Sequence, residues 1–154
     1  MEQNENQFLL EKLASAKPSA YALIEGGEEY PNINGQIDFY DFGNSTIVVC
    51  SVHNLPNTKT NIFGFHIHEK GECDGDFSSS GGHYGGDMHP NHKGDMPVLF
   101  SGGGNAFLVF YTPRFTVDEV IDRSVIIHLD PDDYTSQPAG NSGMRIACGL
   151  IKKL

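Results

Sequence analysis

The sequence predicts a single all-β domain of about eight short strands, of the sandwich or barrel type. Runs rich in β-branched and aromatic residues recur at short intervals, whereas helix signals are scarce. The 18 glycines and 8 prolines favour frequent turns between short strands. At 154 residues the chain is long enough to bury a sizeable core without stabilising cross-links.

The first strands follow from local residue patterns. Residues 36–41 alternate polar and apolar side chains, as a half-buried strand does. Residues 46–52, Thr-Ile-Val-Val-Cys-Ser-Val, form a strongly β-prone run. The strands predicted in this half of the chain are 19–25, 36–41, 46–52 and 61–68.

The remaining strands are separated by a long loop, a glycine-rich turn and a short helical segment. Residues 71–97 have little apolar periodicity and many glycines, and such a long loop inside a compact domain usually has a function. Thr116 followed by Glu119 predicts a helical turn with a weak capping box. The predicted strands are 98–100, 106–111, 124–129 and 144–151.

Six of the seven histidines fall into three short segments, which together predict a site for two metal ions. His66 and His68 are two residues apart in an apolar run. On a strand, both rings therefore leave the same face, as two ligands of one metal require. Imidazole suits copper and zinc, and a carboxylate among histidines fits zinc. His53 lies outside these segments and is predicted to be an ordinary surface side chain.

Two motifs resemble the copper/zinc superoxide dismutase family. Residues 64–69, Gly-Phe-His-Ile-His-Glu, are similar to its copper-binding strand, and residues 140–149, Gly-Asn-Ser-Gly-Met-Arg-Ile-Ala-Cys-Gly, to its C-terminal signature. The resemblance covers about residues 19–152, with the motifs in the family's order. It implies a flattened eight-stranded Greek-key β-barrel, an immunoglobulin-like sandwich with long metal-binding loops. The predicted division is an N-terminal extension, 1–18, and a dismutase-like domain, 19–154.

The resemblance also implies a complete set of ligands for copper and zinc. The implied copper ligands are His66, His68, His83 and His128. The implied zinc ligands are His83, His89, His92 and Asp95, so that His83 bridges the two ions. Seven ligands with one of them shared agree with the count for two four-coordinate ions.

The activity implied by the resemblance is disproportionation of superoxide to oxygen and hydrogen peroxide. Arg145 would attract the anion, unless it is a plain surface arginine, and His83 would hold and release a proton. Asp132 would link a copper histidine to a zinc histidine, unless it is a solvated turn carboxylate. Cys73 and Cys148 would form the family's disulfide. The alternative function is a non-catalytic relative that stores, senses or delivers metal.

The sequence departs from the family in its loops. The loop from His128 to Arg145 is short, and Arg145 is its single basic residue. Lys70 and Lys93 lie near ligands in the sequence, so they are the candidates for steering the substrate.

Composition narrows the range of partners. The net charge of −10 and pI of about 4.9 argue against nucleic acid and anionic membranes. No apolar run approaches the roughly 20 residues of a membrane span.

Residues 1–17 lack the basic segment of a secretory signal, which predicts a cytoplasmic location. The same residues permit either a short amphipathic helix or a frayed tail. The expected small-molecule partner is superoxide, and a homodimer stays open.

Overall fold

The computed structural model describes residues 5–154, except the side chains of residues 5, 6 and 8–10. The strands are β1 (Ala20–Gly26), β2 (Asn34–Asp41), β3 (Thr46–His53), β4 (Ile62–Phe63), β5 (Phe65–His68), β6 (Leu99–Phe100), β7 (Ala106–Thr112), β8 (Ser124–His128) and β9 (Arg145–Lys153). The helices are α1 (Glu5–Ser15) and α2 (Val117–Val120), and a 3-10 turn covers Ser78–Ser80.

Seven strands form one curled antiparallel sheet in the order β5-β8-β9-β1-β2-β3-β7. The remaining strands, β4 and β6, pair antiparallel in a small second sheet. The connections cross over, because β3 lies beside β7 and β5 beside β8. This architecture confirms the predicted all-β fold of the Greek-key barrel type.

The core lies inside the curl of the sheet. Along β3 the side chains alternate between buried and partly exposed, as expected for a strand with one face on the core. Phe39, Phe63, Phe65 and Phe115 are fully buried there. Each large apolar side chain removed from water contributes roughly 1.5–3 kcal/mol, so these aromatic residues are major contributors to stability.

β5 and β8 differ from the other strands because they are buried on both faces. Phe65 and Ile67 of β5 belong to the hydrophobic core. His66 and His68, which alternate with them, are also buried, with exposures of 0% and 1%. Polar side chains that are buried to this degree need partners, so the outer face of β5 must be covered by another part of the chain.

Gly64 interrupts the predicted strand 61–68, and the structure divides it into β4 and β5. The N–H of Gly64 donates to the Asp130 carbonyl (2.9 Å), and the N–H of His128 donates to the Gly64 carbonyl (2.8 Å). A Cβ at this position would lie 2.7 Å from the Ser142 Oγ. Glycine is therefore required by a close approach that local sequence does not reveal.

The helical predictions are tested at two places. At α2, both hydrogen bonds of the capping box between Thr116 and Glu119 are present, which confirms the predicted turn. Of the two alternatives for the N-terminal extension, the structure has the helix, α1. The Phe8 and Leu9 side chains, which suggested an amphipathic face, lie outside the described part.

Within residues 5–154, no helix is both long and apolar enough to cross a bilayer.

Candidate metal centre

Strands β5 and β8 bring three histidines together on the outer face of the sheet. His66 and His68 alternate with core residues along β5, and His128 ends the neighbouring strand β8. The ring centroids of His66 and His128 are 4.9 Å apart, and those of His68 and His128 are 5.4 Å apart. The predicted two-residue spacing on a strand therefore places both β5 rings beside a third imidazole.

The loop that carries the other ligands folds back onto β5. The N–H of Tyr84 donates to the Ile67 carbonyl (2.8 Å), and the N–H of Ile67 donates to the Gly94 carbonyl (2.9 Å). Because Tyr84 and Gly94 are both hydrogen-bonded to Ile67, the adjacent His83 and Asp95 lie beside the strand histidines His68 and His66. Ile67 thus packs in the core with its side chain and positions the loop with its backbone.

The ligand atoms form two groups in which all atoms lie within 4.8 Å of one another. One group consists of His66, His68, His83 and His128, and the other consists of His83, His89, His92 and Asp95. All seven side chains are buried, and His83 belongs to both groups. The structure therefore brings together every ligand that the sequence suggested, in the two sets that it suggested.

Two of the rings are oriented by backbone carbonyls. The Nδ1–H of His68 donates to the Gly81 carbonyl (2.9 Å), and the Nδ1–H of His128 donates to the Gly143 carbonyl (3.3 Å). These bonds use the Nδ1 atoms and leave the Nε2 atoms of His68 and His128 free to bind a metal. The two Nε2 atoms lie 3.2 Å apart. Fixing one ring nitrogen in this way selects the tautomer and presents the other nitrogen as a ligand.

Asp132 joins the two groups, as the sequence suggested. Its Oδ2 lies 2.7 Å from the Nε2 of His66, and its Oδ1 lies 2.8 Å from the Nε2 of His89. The Asp132 side chain is fully buried at both contacts, so the alternative of a solvated turn carboxylate is wrong. One carboxylate therefore orients a ring from each group.

The chemistry of these groups fits copper and zinc. Two buried ring nitrogens, the Nδ1 of His66 and the Nε2 of His83, have no hydrogen-bond partner among the described residues. The Nδ1 of His89 lies 3.2 Å from the Asp95 Oδ2 but does not form a hydrogen bond with it. A buried polar atom without a partner costs about 1–3 kcal/mol, and a bound cation removes that cost. Four imidazoles suit copper, and three imidazoles with one carboxylate suit a tetrahedral zinc ion. The set of His66, His68, His83 and His128 is therefore called the copper group, and the set of His83, His89, His92 and Asp95 the zinc group.

Burial keeps the rings of His66, His68 and His128 neutral near pH 7. It lowers the pKa of His66 to about 4, of His68 to about 2 and of His128 to about 3. Burial alone would raise the pKa of Asp95, but its hydrogen bond with His83 and the charges of nearby histidines outweigh it and lower that pKa to about 2. Neutral imidazoles and an ionised carboxylate are the forms that bind a metal.

Arg145 lies beside the copper group at the start of β9. It is the register partner of His128, and its Nη1 donates to the Phe77 carbonyl and the Ser80 Oγ, each at 2.8 Å. Half-burial lowers the pKa of Arg145, whereas the nearby Asp76 raises it. A guanidinium stays protonated in proteins, so it supplies a fixed positive charge here. Arg145 is therefore a half-buried, hydrogen-bonded side chain and not a fully exposed surface arginine.

The segment that orients Arg145 is anchored by the Cys73–Cys148 disulfide, which the structure contains as the resemblance implied. Cys148 lies on β9, three residues after Arg145, and Cys73 lies in the loop that also carries Phe77 and Ser80. The third cysteine, Cys50, is a free and buried core residue.

Two contacts on the outside of the metal loop were missed by the sequence analysis. The Nη1 of Arg114 donates to the Pro90 carbonyl (2.6 Å) and to the His92 carbonyl (3.3 Å). The Arg123 guanidinium lies 3.7 Å above the Tyr84 ring, within the range of a cation–π interaction. No spacing in the sequence signals these contacts, because each joins the loop to a segment more than 20 residues away.

Two side chains considered for other roles, Lys93 and His53, contact residues that are not metal ligands. The Lys93 ammonium forms an ion pair with Glu119, so its charge is largely offset and it is a weaker steering candidate than its position suggested. His53 is exposed, and its Nδ1 lies 2.8 Å from the Asn105 Oδ1, in agreement with the predicted surface position.

Comparison with known proteins identifies similar chains. The family model described as copper/zinc superoxide dismutase (SODC) matches residues 33–151, a range that contains all seven candidate ligands, Asp132 and Arg145. Copper-zinc superoxide dismutase 1 of Aquifex aeolicus (strain VF5) is 35% identical over 136 residues, which cover 77% of this chain and 79% of the relative. The copper-zinc superoxide dismutase of Legionella pneumophila is 30% identical over 128 residues, or 77% of each chain. That of Escherichia coli (strain K12) is 37% identical over 109 residues, or 58% of this chain and 63% of the relative.

Proposed function

The chain belongs to the copper/zinc superoxide dismutase family, and we infer that it is an enzyme that converts superoxide to oxygen and hydrogen peroxide. The observation that carries this conclusion is the convergence of seven buried ligand side chains into two groups that share His83. A structural zinc site would need one such group. The second group, with Arg145 beside it, supports a site that receives a small anion.

We propose that each group holds one ion. The residues proposed for copper are His66, His68, His83 and His128. The residues proposed for zinc are His83, His89, His92 and Asp95. When bound, copper supplies one-electron redox chemistry, and zinc, which has no redox chemistry, stabilises the loop.

His83 is the proposed proton carrier. Two superoxide anions and two protons give one oxygen molecule and one hydrogen peroxide molecule, so protons must reach the departing product. The Nδ1 of His83 lies 2.7 Å from the Asp95 carboxylate, and its Nε2 faces the copper group without a hydrogen-bond partner among residues 5–154. A proton held at this Nε2 is in position to be donated to peroxide as general acid.

Arg145 is the residue proposed to attract and orient superoxide. The protein has a net charge of −10, so its overall field repels an anion. Charges farther than about 8 Å are largely screened at physiological ionic strength. The guanidinium beside the copper histidines therefore determines the local field, together with the bound cations.

Replacing Arg145 with isoleucine is expected to lower kcat/KM about tenfold or more, which corresponds to at least ~1.4 kcal/mol of lost transition-state stabilisation. The cause is the loss of the positive charge beside the copper group. The measurement is the initial dismutase rate, normalised to bound copper. Arg145→Lys is the matched control, since it keeps the charge and should retain more activity. An unchanged rate in Arg145→Ile would contradict the proposed role.

The remaining proposals concern partners, domain boundaries and location. The charge of −10 supports the proposal that neither nucleic acid nor an anionic membrane is a partner. The division into an extension, 1–18, and a dismutase domain, 19–154, stays a prediction. The cytoplasmic location also stays a prediction from the N-terminal sequence.

A superoxide dismutase assay on reconstituted protein tests the proposed function. Protein loaded with copper and zinc should consume superoxide rapidly, whereas protein loaded with zinc alone should not, because the redox step needs copper. Both samples should give the same far-UV circular dichroism, so that a difference in rate reports chemistry and not folding. A copper- and zinc-loaded protein without activity would instead indicate a protein that stores, senses or delivers metal.

A further inference from the structure

The segment of residues 85–93 lies within the metal loop and carries two ligands of the zinc group, His89 and His92. The N–H of Gly94 donates to the Tyr84 carbonyl (2.9 Å), which closes the segment at its base. Among residues 5–154, no hydrogen bond joins the main chain of this segment to the main chain of a strand. Other contacts must therefore hold its two histidines in position.

The Gln137 side chain forms two hydrogen bonds with the main chain of His89. Its Oε1 accepts from the His89 N–H (2.9 Å), and its Nε2 donates to the His89 carbonyl (2.6 Å). A side-chain amide has both an acceptor and donors, so it can form the same pair of bonds that a neighbouring strand would form. The two bonds fix the peptide groups on both sides of this ligand, and hence the direction in which its ring leaves the main chain.

Gln137 is itself held in a compact turn. The Asp133 carboxylate accepts hydrogen bonds from the Ser136 N–H (2.8 Å) and from the Ser136 hydroxyl (2.6 Å), directly before Gln137 in the chain. The same loop contains Asp132, whose carboxylate lies 2.8 Å from the Nε2 of His89. One loop therefore fixes both the main chain and the ring of His89.

Arg114 holds the remainder of the segment. Its Nη1 donates to the Pro90 carbonyl (2.6 Å) and to the His92 carbonyl (3.3 Å). Hydrogen bonds from a guanidinium are charge-assisted and stronger than those between neutral groups. Together, Gln137 and Arg114 bind the carbonyls of residues 89, 90 and 92, which include both zinc-group histidines of the segment.

These two side chains do not belong to the hydrophobic core. Gln137 and Arg114 are both exposed residues, and their contacts at His89 and Pro90 are 48 and 24 residues away in the chain. A long side chain loses rotamer freedom when it is fixed, so two such side chains fixed on one short segment indicate that its conformation matters. The feature that distinguishes this segment is its pair of zinc-group ligands.

We propose that Gln137 and Arg114 are positioning residues for zinc, which hold residues 89–92 so that His89 and His92 are oriented before the ion binds. The inference rests on the proposed function, in which the zinc group binds zinc. Ligands that are already in position lose less conformational entropy on binding, so the site binds the ion more tightly. Residues that orient metal ligands typically change metal affinity by roughly 10–100-fold.

Competition between the copper-loaded full chain and a zinc chelator tests the proposal. Gln137→Met keeps the length of the side chain and removes both hydrogen bonds, so it should raise the Kd for zinc roughly 10–100-fold and leave the copper content unchanged. Arg114→Met should act in the same direction, whereas Arg114→Lys, which keeps the charge and a donor, should recover part of the affinity. Gln36→Met is the matched control. Gln36 is exposed on β2 and its amide donates to Asp38 (2.8 Å), so this variant should bind zinc as the wild type does.

Cobalt(II) bound in place of zinc separates positioning from a general effect on stability. Its visible absorption depends on the geometry of its ligands, so Gln137→Met should alter the cobalt spectrum. A merely structural role would instead lower the unfolding temperature of the metal-free protein and leave the cobalt spectrum unaltered, and that result would overturn the proposal. So would a zinc Kd in Gln137→Met and Arg114→Met equal to that of a zinc-binding wild type, or an equal loss of affinity in Gln36→Met. A wild type that binds no zinc would contradict the proposed function itself.

Discussion

Replacing His128 with alanine is expected to lower dismutase activity at least about 1,000-fold, or ~4 kcal/mol in activation free energy, while zinc and the fold stay in place. His128 belongs to the copper group and not to the zinc group. Its ring is buried at the end of β8 and is oriented by the Gly143 carbonyl, so no neighbouring side chain can take its position. The measurements are the dismutase rate and the copper and zinc contents of the same reconstituted sample.

His92→Ala is the matched comparison, because His92 belongs only to the zinc group. We expect this variant to lose zinc and to unfold roughly 5–10 °C lower when metal is supplied, since a bound ligand stabilises the native state by a few kcal/mol. The measurement is thermal unfolding at equal metal concentrations. If His128→Ala and His92→Ala had the same effects on activity, zinc content and unfolding temperature, the division of ligands between the two ions would be wrong.

Replacing Cys73 with serine is expected to lower the free energy of unfolding by about 4 kcal/mol, because the lost disulfide spans a sequence separation of 75 residues and restricts the unfolded chain. Denaturant unfolding of the metal-free oxidised protein measures this change. Cys50→Ala is the control, since it removes a buried thiol without removing the bond. Equal denaturation midpoints for the Cys73→Ser variant and the wild type would contradict the expected stabilisation.

The same variant should also lower activity through Arg145. Cys73 holds the segment whose Phe77 carbonyl and Ser80 hydroxyl accept hydrogen bonds from the guanidinium. Without the disulfide this segment is free to move, and Arg145 loses its fixed orientation. We expect kcat/KM to fall while copper and zinc contents per folded chain are retained. A loss of activity that follows the loss of metal would point to a general loosening of the metal loop instead.

Most of the fold was predictable from sequence because strand periodicity is a local property. The alternating pattern of β2 and the β-branched run of β3 predicted both strands within two residues of their ends. The division of residues 61–68 was not predictable. Gly64 is required there by the approach of Asp130 and Ser142, which are more than 60 residues away in the chain.

The candidate site also has features that the sequence predicted and features that it did not. His66 and His68 could be identified from their spacing because a strand sends both rings to one face. The return of the loop onto β5 depends on the backbone bonds of Ile67, and the sequence has no signal for them. The contact of Arg114 with the His92 carbonyl is also a tertiary contact. Ligand identity was therefore accessible from sequence, whereas the groups that hold the ligands in position were not.

Elemental analysis of protein reconstituted with both metals and then dialysed tests the two-metal centre most directly. The two ligand groups share His83 and are otherwise complete, so we expect about one copper and one zinc per chain. His83→Ala is the accompanying control and should weaken the retention of both ions, because it removes a ligand from each group. Zinc alone in the wild-type protein, with copper removed by gentle dialysis, would contradict the two-metal centre.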